Sequence, residues 1–537
     1  MTTTAFFNGH VYTADAQGRW ASSVAVADGR IAAVGTDEDV LARFPHAERL
    51  DLGGRTVVPG FIDVHNHFLA TGESLASVDV RYPAVASVDD LIAAVARAAS
   101  DTLNGEWVRA FGFDHAKYER EPTRDDLDRA TVRHPVAILH VSGHHVLVNS
   151  VALELRGLGD DTPDPQGGRL VRDEQDRLTG LCLDAACQLV QPSAVDIGSH
   201  GPNFHVDAPL HRLVDDVERA GRAYLAAGLT TVADAQVTER ELRAYREARR
   251  LGRLHVRTAC MPLSHQLETY ASLGLATGFG DDHLWLAAMK FYADGSIIGG
   301  TAAFTEPYGE RAEFQGLLYH EPDDLQDMIV RAHDLGWQVG VHTQGDRAME
   351  ITIRAFEAAQ RHHRREDARF RIEHAGFPTP EQLRRMRDLG VITINQPSYL
   401  RDSGDEFLPR LGERAHRLQP LREELDVGIT VVLSSDSDVA SYRPLDTIAA
   451  AVARQTLKGQ PIGANQALTV EEAVRAHTID AALALGMEDR LGSLEIGKLA
   501  DLVVLDGDPF TTPTQQIAEL GVWMTVLGGV ISHSLAD

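Results

Sequence analysis

Two histidines stand one residue apart at the end of an apolar stretch, in the segment VVPGFIDVHNH at 57–67. In a β-strand, residues two apart point to the same face, so His65 and His67 could bind one cation through their imidazoles, the commonest metal ligands. Two unrelated surface histidines would give the same short pattern. The pair predicts a metal site only if further ligands converge on it.

Side chains of similar chemistry stand at or near the ends of later apolar runs. They are Lys290 in AAMKFYADGS, His342 in QVGVHTQ, His374 in FRIEHA and Asp436 in TVVLSSDS. Each alone could be a hydrogen-bonded core residue or, for the lysine, a buried stem with an exposed head. Together they would be costly to bury without a cation to compensate them. The set therefore indicates a metal-dependent site.

Lys290 differs from the other candidates because an ammonium group repels metal cations. An apolar strand lowers the pKa of a lysine, and the neutral amine can take up carbon dioxide to form a carbamate. That anion has two oxygens and could bridge two metals. The alternative is an ordinary ion pair with an acid such as Asp294. The residues alone leave both interpretations open.

The elements that must position these residues follow a repeating pattern. Short apolar strands are predicted at 229–235, 255–262, 285–295, 338–344, 370–375, 391–397 and 430–437. Most follow a helical pattern, and the strand ending at His65 and His67 makes eight. Eight strands alternating with helices predict a parallel (β/α)8 TIM-like barrel, an α/β fold whose chemistry lies at the C-terminal strand ends.

The remaining segments predict two additions to the barrel. A gap at roughly 68–225 must hold an insertion with its own structure, because a bare loop of that length is implausible. Both chain ends show β-rich runs with turns, and could form one small β-sandwich or two separate hairpin clusters. We predict a β-sandwich of 1–57 plus 487–537, a barrel over 58–486, and an inserted subdomain at about 70–225.

Composition limits the partners. The chain of 537 residues has 51 Lys and Arg against 78 Asp and Glu, a net charge of −27, which disfavours nucleic acid and membrane surfaces. Its three cysteines, Cys182, Cys187 and Cys260, form no C-x-x-C motif, which favours a reducing cytoplasm. We expect no signal peptide, no transmembrane helix and a small-molecule substrate. A homodimer is one oligomeric state that the sequence leaves open.

Several segments together resemble the metal-dependent amidohydrolase superfamily. They are GFIDVHNH, MKFYADGS, VHTQGDRAME, RIEHA, LSSDSD and the closing AVRAHTIDAALALGMEDRLGSLEIGKLADLVVLD. The branch to which they are most similar is that of the N-substituted formamide deformylases, in amidohydrolase family 3. With SGHHVLVNSVAL and DPQGGRLVRDEQDRLTG in the insertion, the resemblance covers essentially the whole chain. One departure is Ser434-Ser435 before Asp436, where a glycine is common in relatives.

The resemblance implies the barrel, the split β-sandwich and a hydrolytic metal centre. It assigns the more buried metal to His65, His67 and Asp436, the outer metal to His342 and His374, and a bridging role to carboxylated Lys290. One or two divalent ions are expected. Zinc suits imidazole and carboxylate ligands best, and manganese, iron and cobalt are alternatives. Asp436 would take a proton from a metal-bound hydroxide and return it to the leaving nitrogen.

Four further residues are predicted to act on the substrate. His144 would donate to its carbonyl oxygen or oxyanion, and the alternative is a core histidine. Asp346 and Arg347 would orient neighbouring groups, and Tyr399 would line the pocket. The expected reaction is hydrolysis of a C–N amide-type bond in an N-substituted formamide, N-acyl amine or related small molecule. A deaminase of a heterocycle or cyclic amidine is the alternative, although such relatives usually lack the bridging lysine. A non-catalytic binding protein on the same barrel would usually show a broken ligand set.

Overall fold

The structure is a computed structural model that describes residues 3–114, 117–141, 143, 145–165, 168–184, 186–191, 194–308 and 314–535. These residues include no helix that is both long enough and apolar enough to span a membrane. Cys182, Cys187 and Cys260 are all free thiols. The chain divides into two compact units. The first comprises Met1–Phe68, Gly221–Thr238 and Arg249–Asp537, and the second comprises Leu69–Ala220 and Glu239–Ala248.

Strands and helices are numbered separately in chain order. The strands are β1 (Thr3–Phe7), β2 (His10–Tyr12), β3 (Trp20–Ala21), β4 (Ser23–Ala27), β5 (Arg30–Gly35), β6 (Glu48–Asp51), β7 (Thr56–Pro59), β8 (Phe61–Asn66), β9 (Val78–Asp79), β10 (Val108–Phe113), β11 (Val136–His140), β12 (His145–Val148), β13 (Gly168–Arg172), β14 (Leu178–Asp184), β15 (Leu229–Val237), β16 (Arg257–Pro262), β17 (Leu284–Leu286), β18 (Ala288–Tyr292), β19 (Gln338–His342), β20 (Arg371–Glu373), β21 (Ile392–Asn395), β22 (Thr430–Leu433), β23 (Leu502–Leu505), β24 (Val522–Leu527) and β25 (Val530–Ser534). The helices are α1 (Asp37–Arg43), α2 (Phe68–Ala76), α3 (Val88–Asp101), α4 (Arg124–Ala130), α5 (Ser150–Leu155), α6 (Cys187–Val190), α7 (Leu210–Ala226), α8 (Glu239–Arg250), α9 (Leu267–Ser272), α10 (Pro322–Asp334), α11 (Asp346–His362), α12 (Pro380–Asp388), α13 (Ser398–Leu411), α14 (Leu421–Asp426), α15 (Pro444–Ala453), α16 (Val470–Ala476) and α17 (Ile479–Ala484).

The first unit has a TIM-barrel-like α/β arrangement. Its parallel strands form two sheets, in the orders β17-β16-β15-β8 and β18-β19-β20-β21-β22, and helices alternate with the strands of the second sheet. Ile62, Ala259, Ile394 and Val432 belong to one buried apolar cluster, so the two sheets share a core. Alternation of apolar strands with helices is the pattern from which this fold was predicted.

One predicted strand is divided in two. The run at 285–295 forms β17 and β18 on either side of Ala287, because the chain changes its pairing there. β17 pairs with β16, whereas β18 pairs with β19. The chain therefore passes from the first sheet to the second between β17 and β18. Lys290 lies on β18.

Hydrogen bonds bring the end of β8 beside the segment that follows β22. The Asp436 amide donates to the His65 carbonyl over 2.9 Å, and the His67 amide donates to the Ser437 carbonyl over 2.6 Å. The ends of the first and last strands of the predicted barrel therefore lie side by side, which places three candidate ligands together.

The two chain ends pair with each other. β23 runs antiparallel to β7 in a sheet of order β25-β24-β23-β7-β2-β3, and a second sheet has the order β5-β4-β1-β6. Phe6 and Val24 of the second sheet lie in one apolar cluster with Val57 and Val504 of the first. The alternative of two separate hairpin clusters is therefore wrong. β1 and β2 flank the Asn8-Gly9 turn but lie in different sheets.

The second unit fills much of the predicted gap after β8. It contains a mixed sheet of order β13-β14-β12-β11-β10-β9. Helix α3 begins at a capping serine, Ser87, whose side chain accepts from the Asp90 amide. The helix packs Leu91 and Val95 into a cluster with Phe113 and Ile138 of the sheet.

Candidate metal centre

The first two candidate ligands lie at an irregularity of β8. The pairing of β8 with β15 shifts register between Asp63 and Asn66, so that Val64 and His65 face a single residue on β15. Such a β-bulge redirects side chains and is common beside active sites. His65 lies within this bulge and His67 directly follows the strand. The local geometry is thus more irregular than the simple alternation assumed from sequence.

Asp436 completes a group that could hold a metal ion. One ligand atom each of His65, His67 and Asp436 lies within 4.8 Å of the others, and all three residues are buried. Asp436 Oδ1 lies 2.9 Å from His67 Nε2 and 3.5 Å from His65 Nε2. Two imidazoles and a carboxylate are ligands that zinc and other divalent ions accept.

The structure brings His342 and His374 to the same place. The ring centroids of His374 and His342 lie 4.4 Å apart, and those of His374 and His65 lie 4.8 Å apart. His374 Nδ1 is 4.0 Å from Asp436 Oδ2. His374 and Asp436 both adopt the left-handed backbone region, with φ of 75° and 53°, a strained conformation that clusters at functional sites.

One ring nitrogen of three histidines is already held by an oxygen acceptor. His65 Nδ1 donates to Glu373 Oε2 over 2.6 Å, and His374 Nδ1 donates to Gln396 Oε1 over 2.7 Å. His342 Nε2 donates to the Gly295 carbonyl over 3.1 Å. Because a neutral imidazole carries one proton, the other nitrogen of each ring keeps a lone pair for a metal. Burial lowers the pKa of His65 to about 3 and that of His374 to about 4, which favours the neutral ligand form.

Lys290 lies inside this group of histidines. Its Nζ is 3.5 Å from His65 Nε2 and 4.6 Å from the centroid of the Tyr292 ring. Burial lowers the pKa of Lys290 to about 8. No salt bridge joins it to a carboxylate in the described part of the chain.

Asp294 is not the partner of Lys290, so the ion pair between these two residues is wrong. Its carboxylate oxygens accept from the backbone amides of Ala303, Gln344 and Gly345 over 2.8–2.9 Å. Asp294 instead ties the segment after β18 to the segment after β19.

Tyr399 contacts the candidate catalytic carboxylate directly. It lies in the first turn of α13, and its hydroxyl donates to Asp436 Oδ2. Burial would raise the pKa of Asp436, but the neighbouring His65 and His67 lower it overall below its usual range. An ionised carboxylate at this position would be a candidate proton acceptor.

The other predicted substrate residues are not joined to this group. Asp346 Oδ1 accepts from the Thr305 amide over 2.8 Å, and the Arg347 amide donates to the Ala303 carbonyl over 3.2 Å. No hydrogen bond or ion pair among the described residues links either side chain to the four histidines. His144 lies outside the described residues.

Sequence reasoning missed the residues that hold the histidines. Glu373 and Gln396 accept from candidate ligands, and Arg371 pairs with Glu373. A signal was present in FRIEHA, because Arg371 and Glu373 are two apart in an apolar strand and share one face. Charged side chains are rarely buried unless they are paired, and their position beside His374 could have drawn attention to them.

Comparison with known proteins identifies the family of the chain. A family model described as the amidohydrolase family matches residues 48–533. The chain belongs to the amidohydrolase family. A second model, for an imidazolonepropionase-like composite domain of bacteria, matches residues 24–47 of this amidohydrolase.

Relatives match the amidohydrolase along nearly its whole length. It is 34% identical to N-substituted formamide deformylase from Arthrobacter pascens, over 98% of this chain and 97% of that protein. It is 28% identical to the putative amidohydrolase YtcJ from Bacillus subtilis, over 98% of each chain. The solved structure of an uncharacterized metal-dependent hydrolase from Pyrococcus horikoshii is similar with a TM-score of 0.77 at 26% identity, over 96% of this chain and 99% of that one.

The predicted family and enzyme class are confirmed. The amidohydrolase is a metal-dependent hydrolase of carbon–nitrogen bonds other than peptide bonds. Its TIM-barrel-like fold agrees with the fold of these relatives.

Proposed function

We propose that this amidohydrolase hydrolyses the amide bond of an N-substituted formamide or a related N-acyl amine, releasing an amine and a carboxylic acid. The observation that carries the proposal is the convergence of His65, His67 and Asp436 at the adjoining ends of the first and last barrel strands. Similarity to an N-substituted formamide deformylase over nearly the full length supports the bond class.

The donor set fits one or two divalent cations, and we favour zinc. His65, His67 and Asp436 would hold the more buried ion, and His342 and His374 would hold the outer one. The fit is supported by the ring nitrogens of His65, His342 and His374, whose lone pairs are left available by the oxygen acceptors on the opposite side of each ring. A bound divalent ion lowers the pKa of a coordinated water and polarises a substrate carbonyl.

Lys290 is proposed to carry a carbamate. The ammonium group would first lose one proton, and the neutral amine nitrogen would then bond to carbon dioxide and lose a second proton. A cation is thereby converted into an anion among the histidines. The buried position of Nζ beside His65, without a carboxylate partner among the described residues, supports this. Labelled ¹³C-bicarbonate should give a carbamate carbon signal in the wild-type protein and none in Lys290→Met. Equal signals in the two proteins would contradict the assignment.

Asp436 is proposed to carry the proton during the reaction. It would accept a proton from the attacking water and pass it to the leaving nitrogen. The Tyr399 hydroxyl holds Asp436 Oδ2, while Oδ1 faces His67. His144 is proposed to donate to the substrate carbonyl, and Asp346 and Arg347 are proposed to shape the substrate site from the start of α11.

Replacing Asp436 by asparagine separates proton transfer from metal binding. Asn keeps the size and one ligating oxygen but cannot accept the proton. We expect Asp436→Asn to retain most of its metal and to lose turnover by roughly 10²–10⁴-fold. Metal content and kcat are measured on the same preparation. A strictly proportional fall of both would make Asp436 a ligand and not the base.

The substrate class is tested by a screen of the zinc-loaded protein. Formamides, N-acyl amines, carbamates, cyclic amides and heterocyclic amidines are compared, with release of amine or ammonia as the readout. We expect an N-substituted formamide to give the highest kcat/KM and Asp436→Asn to abolish that signal. Preferred release of ammonia from a heterocycle would overturn the proposal in favour of a deaminase.

A further inference from the structure

A fully buried ion pair lies behind His65. Arg371 and Glu373 stand two residues apart on β20, and neither side chain is exposed. Arg371 Nε donates to Glu373 Oε1 over 2.8 Å, and Arg371 Nη2 donates to Oε2 over 3.1 Å. The same Oε2 accepts from His65 Nδ1 over 2.6 Å. The three side chains therefore form one continuous chain of charge-assisted hydrogen bonds.

The ion pair also holds the backbone that carries His65. Arg371 Nη2 donates to the Val64 carbonyl over 2.7 Å. Val64 lies in the β8 bulge, where the ladder to β15 is interrupted. β8 and β20 belong to different sheets, so the contact fixes the bulge from a second direction.

The ring of His65 donates to a charged acceptor, unlike the rings of the other two histidines whose acceptors are described. His342 donates to a backbone carbonyl and His374 donates to a side-chain amide, both of them uncharged. Burying an ion pair is weak evidence for stability, because the loss of hydration can exceed the attraction. A carboxylate behind a ligating imidazole fixes its orientation and raises its basicity as a ligand. The ion pair therefore has a chemical use at this position that it would lack in an ordinary core.

We propose that Glu373 is a positioning residue that directs His65 Nε2 toward the more buried metal ion, and that Arg371 holds Glu373 and the Val64 carbonyl in place for this task. The inference rests on the proposed metal site. It adds to that site a residue pair that touches neither the metal nor the substrate.

The test measures metal binding to the full-length apoprotein rather than turnover. Glu373→Gln keeps the shape and one acceptor oxygen but removes the charge. Zinc affinity is determined by competition with a chelator, and the visible spectrum is recorded after loading with Co²⁺. We expect zinc binding to weaken by roughly 10–100-fold and the cobalt bands to change, because the geometry at His65 is altered.

Glu424→Gln is the matched control. Glu424 is another fully buried carboxylate, on α14, and it accepts from the side chains of Thr393 and Asn395 rather than from a histidine. This variant should keep the wild-type zinc affinity and cobalt spectrum. An equal loss of affinity in Glu424→Gln would overturn the proposal, since the effect would then follow from the replacement of any fully buried glutamate.

A double variant guards against misfolding of the single one. Glu373→Gln leaves the Arg371 charge without its partner, so Arg371→Gln with Glu373→Gln is prepared alongside and should also bind zinc weakly. Wild-type affinity and an unchanged cobalt spectrum in both variants would show that the ion pair is purely structural. Failure of the proposed metal site looks different, because the wild-type protein would then bind no zinc and the inference would fall with it.

Discussion

At the scale of the residue, the site depends on which ring nitrogen of each histidine carries the proton. Ionised carboxylate and carbonyl oxygens only accept hydrogen bonds, so the acceptors Glu373, Gln396 and Gly295 fix the tautomers of His65, His374 and His342. The second ring nitrogen of each of these three histidines therefore keeps a lone pair in the protein without a metal. Pre-organisation of this kind reduces the entropy lost when ligands are ordered around an ion.

Removing one of the paired histidines should remove the metal without unfolding the protein. We expect His67→Ala to bind less than one-tenth of the wild-type metal, because two ligands hold an ion far less well than three, and to show no measurable turnover. Metal analysis and circular dichroism on one sample check this. His333→Gln is the control, because His333 is buried but bonds the carbonyl of His363. Full activity in His67→Ala would contradict the metal assignment.

Glu424 should make stability depend on pH. Burial raises the pKa of Glu424 from 4.5 to about 7, so folding favours its protonated form. The stability that the protonated Glu424 contributes is fully present below pH 4.5. It is lost as the pH rises through 7, which lowers the free energy of unfolding by up to about 3 kcal/mol. Glu424→Gln should therefore raise the free energy of unfolding at pH 8 more than at pH 5. Urea titrations at both pH values check this, with exposed Glu381→Gln as control. An equal change at the two pH values would refute it.

At the scale of the element, the segments that follow the strands determine the site. Asp294 follows β18, and its carboxylate accepts hydrogen bonds from the backbone amides of Ala303, Gln344 and Gly345. Gly345 has no room for a side chain, since a Cβ there would lie 1.9 Å from the Ala303 carbonyl oxygen. These three hydrogen bonds of Asp294, which we call the Asp294 clamp, hold the segment that includes Gly295, whose carbonyl accepts from His342.

Removing the Asp294 carboxylate should loosen the outer side of the proposed metal site. Asp294→Ala leaves three amides without their acceptor, and each unsatisfied buried group costs about 1–3 kcal/mol. We expect it to lower the free energy of unfolding by at least about 2 kcal/mol and to reduce metal content. Asp294→Asn keeps an acceptor oxygen and should lie between Asp294→Ala and the wild type. Chemical denaturation with metal analysis checks the order, and wild-type stability of Asp294→Ala would show that the clamp is dispensable.

At the scale of the whole molecule, the two chain ends must meet before the structure is complete. β7 and β23 are more than 400 residues apart in the sequence and form neighbouring strands. Val504 on β23 is fully buried among apolar side chains from both sheets of the chain ends. Contacts between such distant segments form slowly, because closing a long loop costs entropy.

A charge at this junction should destabilise the protein. Val504→Asp buries an unpaired carboxylate, and we expect it to lower the free energy of unfolding by more than about 3 kcal/mol or to prevent soluble expression. Val530→Asp is the control, since Val530 is 64% exposed on β25 and should tolerate the same change. Thermal melting of both variants checks the prediction. Similar melting temperatures would mean that the chain ends contribute little to folding.

The family, the enzyme class and the general fold could all be predicted from the sequence, because motifs and apolar runs are local features of the chain. The apolar runs that end in His65, His342 and His374 are readable as strands, and their order along the chain predicts an α/β barrel. The partners of Asp294 could not be predicted from the sequence. Only the structure shows that its carboxylate accepts from backbone amides and not from Lys290.

The contacts that hold the candidate ligands were visible only in the folded structure. Gln396 was unremarkable in the sequence, and Glu373 was one more charged residue beside a histidine. Its bond to His65 joins positions 308 residues apart, across strands of two different sheets, and it depends on a bulge that shifts the register of β8 by one residue. Periodicity and motif spacing report only on neighbours along the chain. A contact set by the packing of distant strands has no counterpart in them, and for this reason only the folded molecule revealed it.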